Sequence, residues 1–389
     1  MRVANLQAGI ARAGLDGWLF FDHHGRDPLS YRILGINSDQ QTTRRWYYYV
    51  PADGEPAKLV HRIESRTLDG LPGAKLLYAS WAEQIVRLRE LLDGAGRIAM
   101  QYSRDCAIPY ISLVDAGTVE LIRGLGIDVV SSGDLVQEFE ARWTEEQLAS
   151  HLEAGRRVDR IRRAAFDLIG ERTRAQASVS EYEIQQFILQ SFAESGLTTD
   201  HGPIVAADDH ASDPHFEPNR ENSRRIETGD FVLIDMWAKL ANHNAVYYDI
   251  TWSGFCGNEI PSRIQNVFEI VRDARKKACD FVKSAAESGA RIAGFRVDDI
   301  ARDYITRRGY GEAFFHRTGH SIGTEVHGAG ANMDNLECHD ERLILPNTCF
   351  SIEPGIYLND FGIRSEVDVY VGDHDARVTG EEQDCLVRI

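Results

Sequence analysis

Thiol chemistry has little to work with in this chain. Its 389 residues include 6 cysteines, Cys106, Cys256, Cys279, Cys338, Cys349 and Cys385, with no CxxC pair and no regular spacing. That scatter argues against a disulfide framework or a thiolate-bound structural zinc, and reads as the reduced thiols of a cytoplasmic protein. Long apolar runs are missing too. No stretch of about 18 apolar residues is present to span a bilayer. The opening MRVANLQAGIARAGLDGWLF reads as an amphipathic helix and a strand, without the unbroken apolar core of a signal peptide. Basic charge is scarce, 43 Lys and Arg against 60 Asp and Glu, a formal net charge of −17. With no basic stripe to offset that surplus, nucleic acid and anionic membranes are poor partners. Low-complexity segments and long linkers are absent as well.

What remains is ordinary globular sequence, 43% hydrophobic and 26% charged. It is too long for one core, since single cores rarely grow past about 250–300 residues, and the expected boundary falls near Arg142. Residues 1–142 read as an α/β unit: a helix to Gly14, the strand GWLFFD, a short helix, and a hairpin over 45–62 turning at ADGE. A helix at 81–94, a strand at 97–102, a helix near 109–117 and a strand at 127–132 complete it. Residues 143–389 contain two capping boxes, Thr144 with Gln147 and Ser180 with Glu183, each opening a helix. Helical patterns return over 261–289 and 296–309. Each pair of helices precedes a pair of strands.

Those strand pairs carry the chemistry. FVLID ends on Asp235 and VYYDIT holds Asp249, 14 positions on; Glu353 in SIEPGIY and Glu366 in GIRSE stand 13 apart. Each acid lies in or beside an apolar, β-branched run, where a carboxylate is costly to bury unless it is paired or binds a metal. The similar separations point to two halves of one pseudo-symmetric site. Upstream of Glu353, HRTGHSIGTEVHG supplies His316, His320 and His327. Four carboxylates and an imidazole form a hard donor set suited to divalent Mn, Zn, Co or Fe. Like charges gathered this closely cannot all ionise without cations to neutralise them.

In this order LID…DIT, GHSIG…VH, SIEPGIY and GIRSE resemble the pita-bread metallopeptidases: prolidase, aminopeptidase P, methionine aminopeptidase and their metal-free relative creatinase. The resemblance is strong over 145–389 and extends to the first 140 residues only in layout. It implies an α+β protein, a C-terminal pita-bread domain at 143–389 behind a smaller creatinase-like α/β domain at 1–142 that serves dimerisation and cleft covering in a homodimer. It implies two divalent ions, Mn, Zn or Co, on Asp235, Asp249, His320, Glu353 and Glu366, with Asp249 and Glu366 bridging and Thr251 supporting a bridging carboxylate. Catalytic roles fall by the same resemblance to His215, His327, Arg364 and Glu353, the last as general base. His316 would line the pocket, and Arg342 would receive a substrate carboxylate. The implied reaction is hydrolysis of the bond before proline in Xaa-Pro dipeptides, with aminopeptidase P action on longer peptides as runner-up. A creatinase-like C–N hydrolase and an inactive binding homologue are further alternatives. The chain departs from the family at Trp237, Val246 and Trp252, and in the 13-residue connection from Asp235 to Asp249. Those departures leave the substrate preference open.

Overall fold

Aromatic and β-branched residues build the first sheet. In this computed structural model, which describes residues 3–37, 42–177 and 179–389, β1 (Gly17–Asp22), β2 (Trp46–Pro51), β3 (Ala57–His61), β4 (Ala74–Tyr78), β5 (Arg97–Met100) and β6 (Asp128–Ser131) form one sheet in the order β4-β3-β2-β1-β5-β6. β1 runs antiparallel to β2 and parallel to β5. Helices α1 (Val3–Arg12), α2 (Pro28–Leu34), α3 (Trp81–Leu91) and α4 (Ala116–Arg123) accompany it. Leu88 and Leu91 of α3 and Val119 and Ile122 of α4 share a core with Leu19, Tyr47 and Ile98. Two expectations need correction here. The helix placed near 109–117 is a short 3-10 turn, Pro109–Ile111, followed by α4, because the Asp115 side chain accepts from Thr118 N and starts the helix later. The edge strand β4 was not anticipated at all.

The chain divides into two compact units, Met1–Glu140 and Ala141–Ile389. In the second unit both capping boxes form as read: Thr144 starts α5 (Glu145–Arg174) and Ser180 starts α6 (Glu181–Glu194). After strand β7 (Ile204–Ala207) come the long antiparallel strands β8 (Phe231–Leu240) and β9 (Tyr248–Phe255). Helices α7 (Ser262–Ser288) and α8 (Gly294–Arg307) precede the antiparallel pair β10 (Thr348–Ile352) and β11 (Val367–Val371). Two helices and a strand pair thus occur twice.

Strand alternation decides where the acids go. Along β8 and β9 the residues Val232, Ile234, Met236 and Ile250 pack with Ala154, Val158, Ile161 and Ala165 of α5. The opposite face therefore presents Asp235, Trp237, Asp249 and Thr251, since side chains two apart on a strand share a face. Gly155 allows that helix close approach, because a Cβ there would stand 2.9 Å from the Tyr248 ring. In the second half Phe350, Ile352, Val367 and Val369 pack with Val267, Val271 and Ala274 of α7, which leaves Ser351, Glu353, Glu366 and Asp368 on the far side. The two helix-free faces meet: Asp249 N donates to Asp368 Oδ2 at 2.8 Å, and Thr251 Oγ1 to Glu366 Oε2 at 2.7 Å.

Candidate metal centre

Register brings the first two acids together. Asp235 faces Thr251 across β8 and β9, and Trp237 faces Asp249, so the two carboxylates lie diagonally on one face. Glu353 follows β10 directly and Glu366 precedes β11, with Ile352 paired to Val367 between them. Both strand pairs therefore offer their acids toward the same space. Asp235, Asp249, His320 and Glu366 are buried, at 7%, 3%, 4% and 2% exposure, and Glu353 is nearly so.

Donor atoms of Asp249, His320 and Glu366 lie within 4.8 Å of one another. His320 is also the link to Glu353. Its Nε2 stands 3.5 Å from Asp249 Oδ2 and 3.4 Å from Glu353 Oε1. Nδ1 lies 3.2 Å from Ser321 O, and a carbonyl can only accept, so the proton is assigned to Nδ1. Burial pushes this imidazole well below its usual value, which leaves a neutral ring with the Nε2 lone pair turned toward two carboxylates. One imidazole nitrogen and two carboxyl groups thus converge on one small space.

The remaining electrostatics agree. Burial first, then Glu366, Asp235, Asp368 and Glu353, raises the Asp249 carboxyl well above the ordinary range. Burial, then Glu353 and Asp235, does the same to Glu366. Glu353 is pushed up to about 7, chiefly by burial, with Arg364 and Arg317 opposing. Asp235 Oδ1 and Asp249 Oδ1 are buried without a hydrogen-bond partner. An unmatched buried carboxylate oxygen is costly, and a divalent cation removes that cost along with the mutual repulsion. The donor set fits hard divalent ions.

Around these acids the chain supplies a fixed frame. Arg364 binds Asp235 Oδ2 through Nη2, donates from Nε to Thr251 Oγ1 at 3.1 Å, and from Nη1 to Tyr357 OH at 2.9 Å. The Tyr357 hydroxyl lies 2.8 Å from His316 Nε2, while His316 Nδ1 lies 2.7 Å from Arg317 O. His316 thus carries its proton on Nδ1 and accepts from Tyr357, and burial and Arg364 push it down to about 3. It lines the site without ligating. His327 stands against the His320 ring, centroids 4.4 Å apart at 84°; burial and Arg317 push it down to about 4, so it too is neutral. His215 is exposed on the loop after Pro214.

Arg342 is not among them. Its guanidinium grips Asp340 through Nε at 2.9 Å and Nη2 at 2.7 Å, and donates to Ala329 O and Gly330 O. It fastens the loop after His327, which corrects its expected place as a receiver of substrate carboxylate. The departures at Val246 and Trp252 also turn away from the acids. Val246 is buried with Trp143 and Tyr370, and Trp252 packs beneath the Arg162 guanidinium at 3.4 Å. Tyr357, Asp368 and Ser351 were missed. Tyr357 stood in the SIEPGIY segment and was read as apolar, whereas Asp368 could have been flagged as an acid inside the β-branched run VDVYV.

Residues 149–373 match the family described as metallopeptidase family M24. The chain belongs to metallopeptidase family M24. An Xaa-Pro dipeptidase of Lactobacillus delbrueckii subsp. lactis is 29% identical over 60% of this chain and 58% of its own length. An Xaa-Pro dipeptidase of Pyrococcus furiosus is 30% identical over 65% of this chain and 67% of its own. The chain therefore spans little more than half of the first of these and two thirds of the second. Dipeptidase PepE from Mycobacterium ulcerans shares the fold along the full chain, at TM-score 0.73 and 22% identity, with 100% of this chain and 96% of that one covered. This M24 chain is accordingly an N-terminal α/β domain followed by a C-terminal pita-bread domain. An X-prolyl aminopeptidase of Caenorhabditis elegans, described as having a di-nuclear active site, shares the fold at TM-score 0.67 and 16% identity over 97% of this chain and 61% of that one.

Proposed function

We propose that this M24 peptidase hydrolyses the peptide bond before proline in Xaa-Pro dipeptides. The observation that carries the reading is the His320 Nε2 lone pair facing Asp249 and Glu353 amid buried carboxylates. We assign Asp235, Asp249, His320, Glu353 and Glu366 as the residues that would hold two divalent ions. When bound, such ions polarise an amide carbonyl and acidify water. Glu353 takes the proton released by the attacking water and passes it to the leaving proline nitrogen. His327 and His215 donate N–H groups to the oxyanion as the carbonyl becomes tetrahedral, each contributing roughly 3 kcal/mol. Arg364 keeps Asp235 and Thr251 in register.

The names of the relatives in L. delbrueckii and P. furiosus support dipeptides as substrates. A dipeptide has a carboxylate directly after the scissile bond, and a buried carboxylate needs a cation. We assign that role to Arg317, which is 8% exposed and whose charge is felt at Glu353, His320 and His327. Turnover of Xaa-Pro against Xaa-Pro-Yaa and against the dipeptide amide tests this. The dipeptide is expected to be faster, with amidation costing about 2–4 kcal/mol in kcat/KM. Equal or faster cleavage of tripeptides would assign the enzyme to aminopeptidase P instead.

A further inference from the structure

The face that carries Asp235 and Asp249 continues outward, and its continuation has a chemistry of its own. Lys239 follows Trp237 on β8, and Tyr247 precedes Asp249 at the mouth of the ribbon, so Asp235, Trp237, Lys239, Tyr247, Asp249 and Thr251 share one face. Trp237 is the cross-strand neighbour of Asp249, where opposed side chains meet. Its indole N–H donates to Asp200 Oδ1 at 2.8 Å. His201 N donates to the same oxygen at 3.1 Å. The Asp200 carboxylate is thereby fixed at the Trp237 indole, with its side chain 43% exposed.

Lys239 Nζ donates to Thr324 O and lies 4.7 Å from the centroid of the Tyr247 ring; the Asp200 charge is felt there, but among the described residues the two form no ion pair. Among the described residues the ion-pair partner of Asp200 is His201, at 3.4 Å and itself 73% exposed. An anion oriented by a tryptophan, open to water and opposite a metal-ligand strand has the features of a recognition group. The indole also gives a methylene stem something to lie along, with cation–π attraction for the charged head.

We propose that Asp200, held by Trp237, is a specificity-determining residue that selects a lysine or arginine side chain on the residue amino-terminal to the scissile bond. The substrate α-ammonium is a poorer match. It sits one carbon from the attacked carbonyl, which keeps it beside the catalytic acids, whereas a long basic side chain reaches past the indole. The assignment rests on the peptidase reading and deepens it by naming the preferred substrate class.

The test compares kcat/KM of the metal-loaded enzyme on Lys-Pro, Leu-Pro and Glu-Pro, and on Lys-Ala and Leu-Ala, for the wild type and Asp200→Asn. Wild type is expected to prefer Lys-Pro over Glu-Pro by at least about tenfold, and added salt should shrink that ratio by screening. Asp200→Asn should reduce the Lys-to-Leu ratio roughly tenfold, mainly through KM, in whichever series is cleaved. Trp237→Phe, which keeps the ring and removes the N–H, should lower the ratio in the same direction. If Asp200→Asn lowers lysyl and leucyl substrates by equal factors, the proposal is overturned, with Asp200 then acting on the α-ammonium or on folding alone. Cleavage of the alanyl series without the prolyl series would overturn the proline preference while the charge ratio is still read. An enzyme that cleaves no peptide in either series overturns both.

Discussion

Thr251 shows how a single hydroxyl is used in this centre. It donates to Glu366 Oε2 at 2.7 Å and accepts from Arg364 Nε at 3.1 Å, so it joins the Glu366 carboxylate to the arginine that also holds Asp235. Thr251→Val keeps the shape and removes both bonds, leaving two buried charged groups short of a partner. That loss should cost about 1–3 kcal/mol in unfolding free energy and roughly 10–100-fold in divalent-ion affinity. Denaturant titration and metal analysis after equilibrium dialysis read the two effects. Full metal affinity in this variant would mean that the hydroxyl does not orient Glu366. The acids and His320 were legible as one cluster because carboxylates inside β-branched runs contradict their surroundings. Arg342 misled for the opposite reason. An arginine between catalytic motifs looks available in sequence, and nothing in the spacing reveals that Asp340, two positions before it, occupies the guanidinium.

At the scale of elements, helix starts were readable and close approaches were not. Thr144 and Ser180 announce α5 and α6 through local hydrogen bonds, with both reciprocal bonds of each capping box formed. The contact between the His320 segment and β10 depends on residues far apart in sequence. Gly319 N and O pair with Met333, His320 N donates to Ser351 Oγ at 3.0 Å, and Ser351 N donates to His320 O at 2.9 Å. A Cβ on Gly319 would collide with Ser351 O, a backbone atom that cannot swing aside. Gly319→Ala should therefore push the His320 segment off the strand, destabilise the second unit by more than about 3 kcal/mol and abolish metal retention. Thr144→Ala, which removes one cap, should cost only about 1 kcal/mol and leave metal content intact. Calorimetry with metal analysis on the two variants separates these effects; equal outcomes would show that the glycine has no special part in presenting His320.

For the whole molecule, the acid surplus behind the net charge of −17 is partly concentrated in one place. In the metal-free protein Glu353 is pushed up from 4.5 to about 7, and Asp249, Glu366 and Asp368 are raised well above the ordinary range, all led by burial. A carboxylate raised in the folded state binds protons more tightly there than when unfolded, so it favours the fold at low pH. That contribution is present below the unfolded value and is lost as pH rises through the folded one. For Glu353 the window runs from 4.5 to about 7, and for the other three it opens upward from their ordinary values. Protons and divalent ions thus do the same work of neutralisation. The melting temperature of the metal-free second unit should fall between pH 5 and pH 8, and the rise on adding Mn or Zn should be larger at pH 8. The first unit supplies an internal contrast: Asp27, raised to about 6 by burial, gives it a loss of stability over about pH 4–6 that no metal restores. Differential scanning calorimetry with and without a chelator, at both pH values, measures the increments. A rise on metal addition that is equal or greater at pH 5 would mean that the ions do not replace protons on these carboxylates, and the assignment of Asp249 and Glu366 as ligands would fall with it.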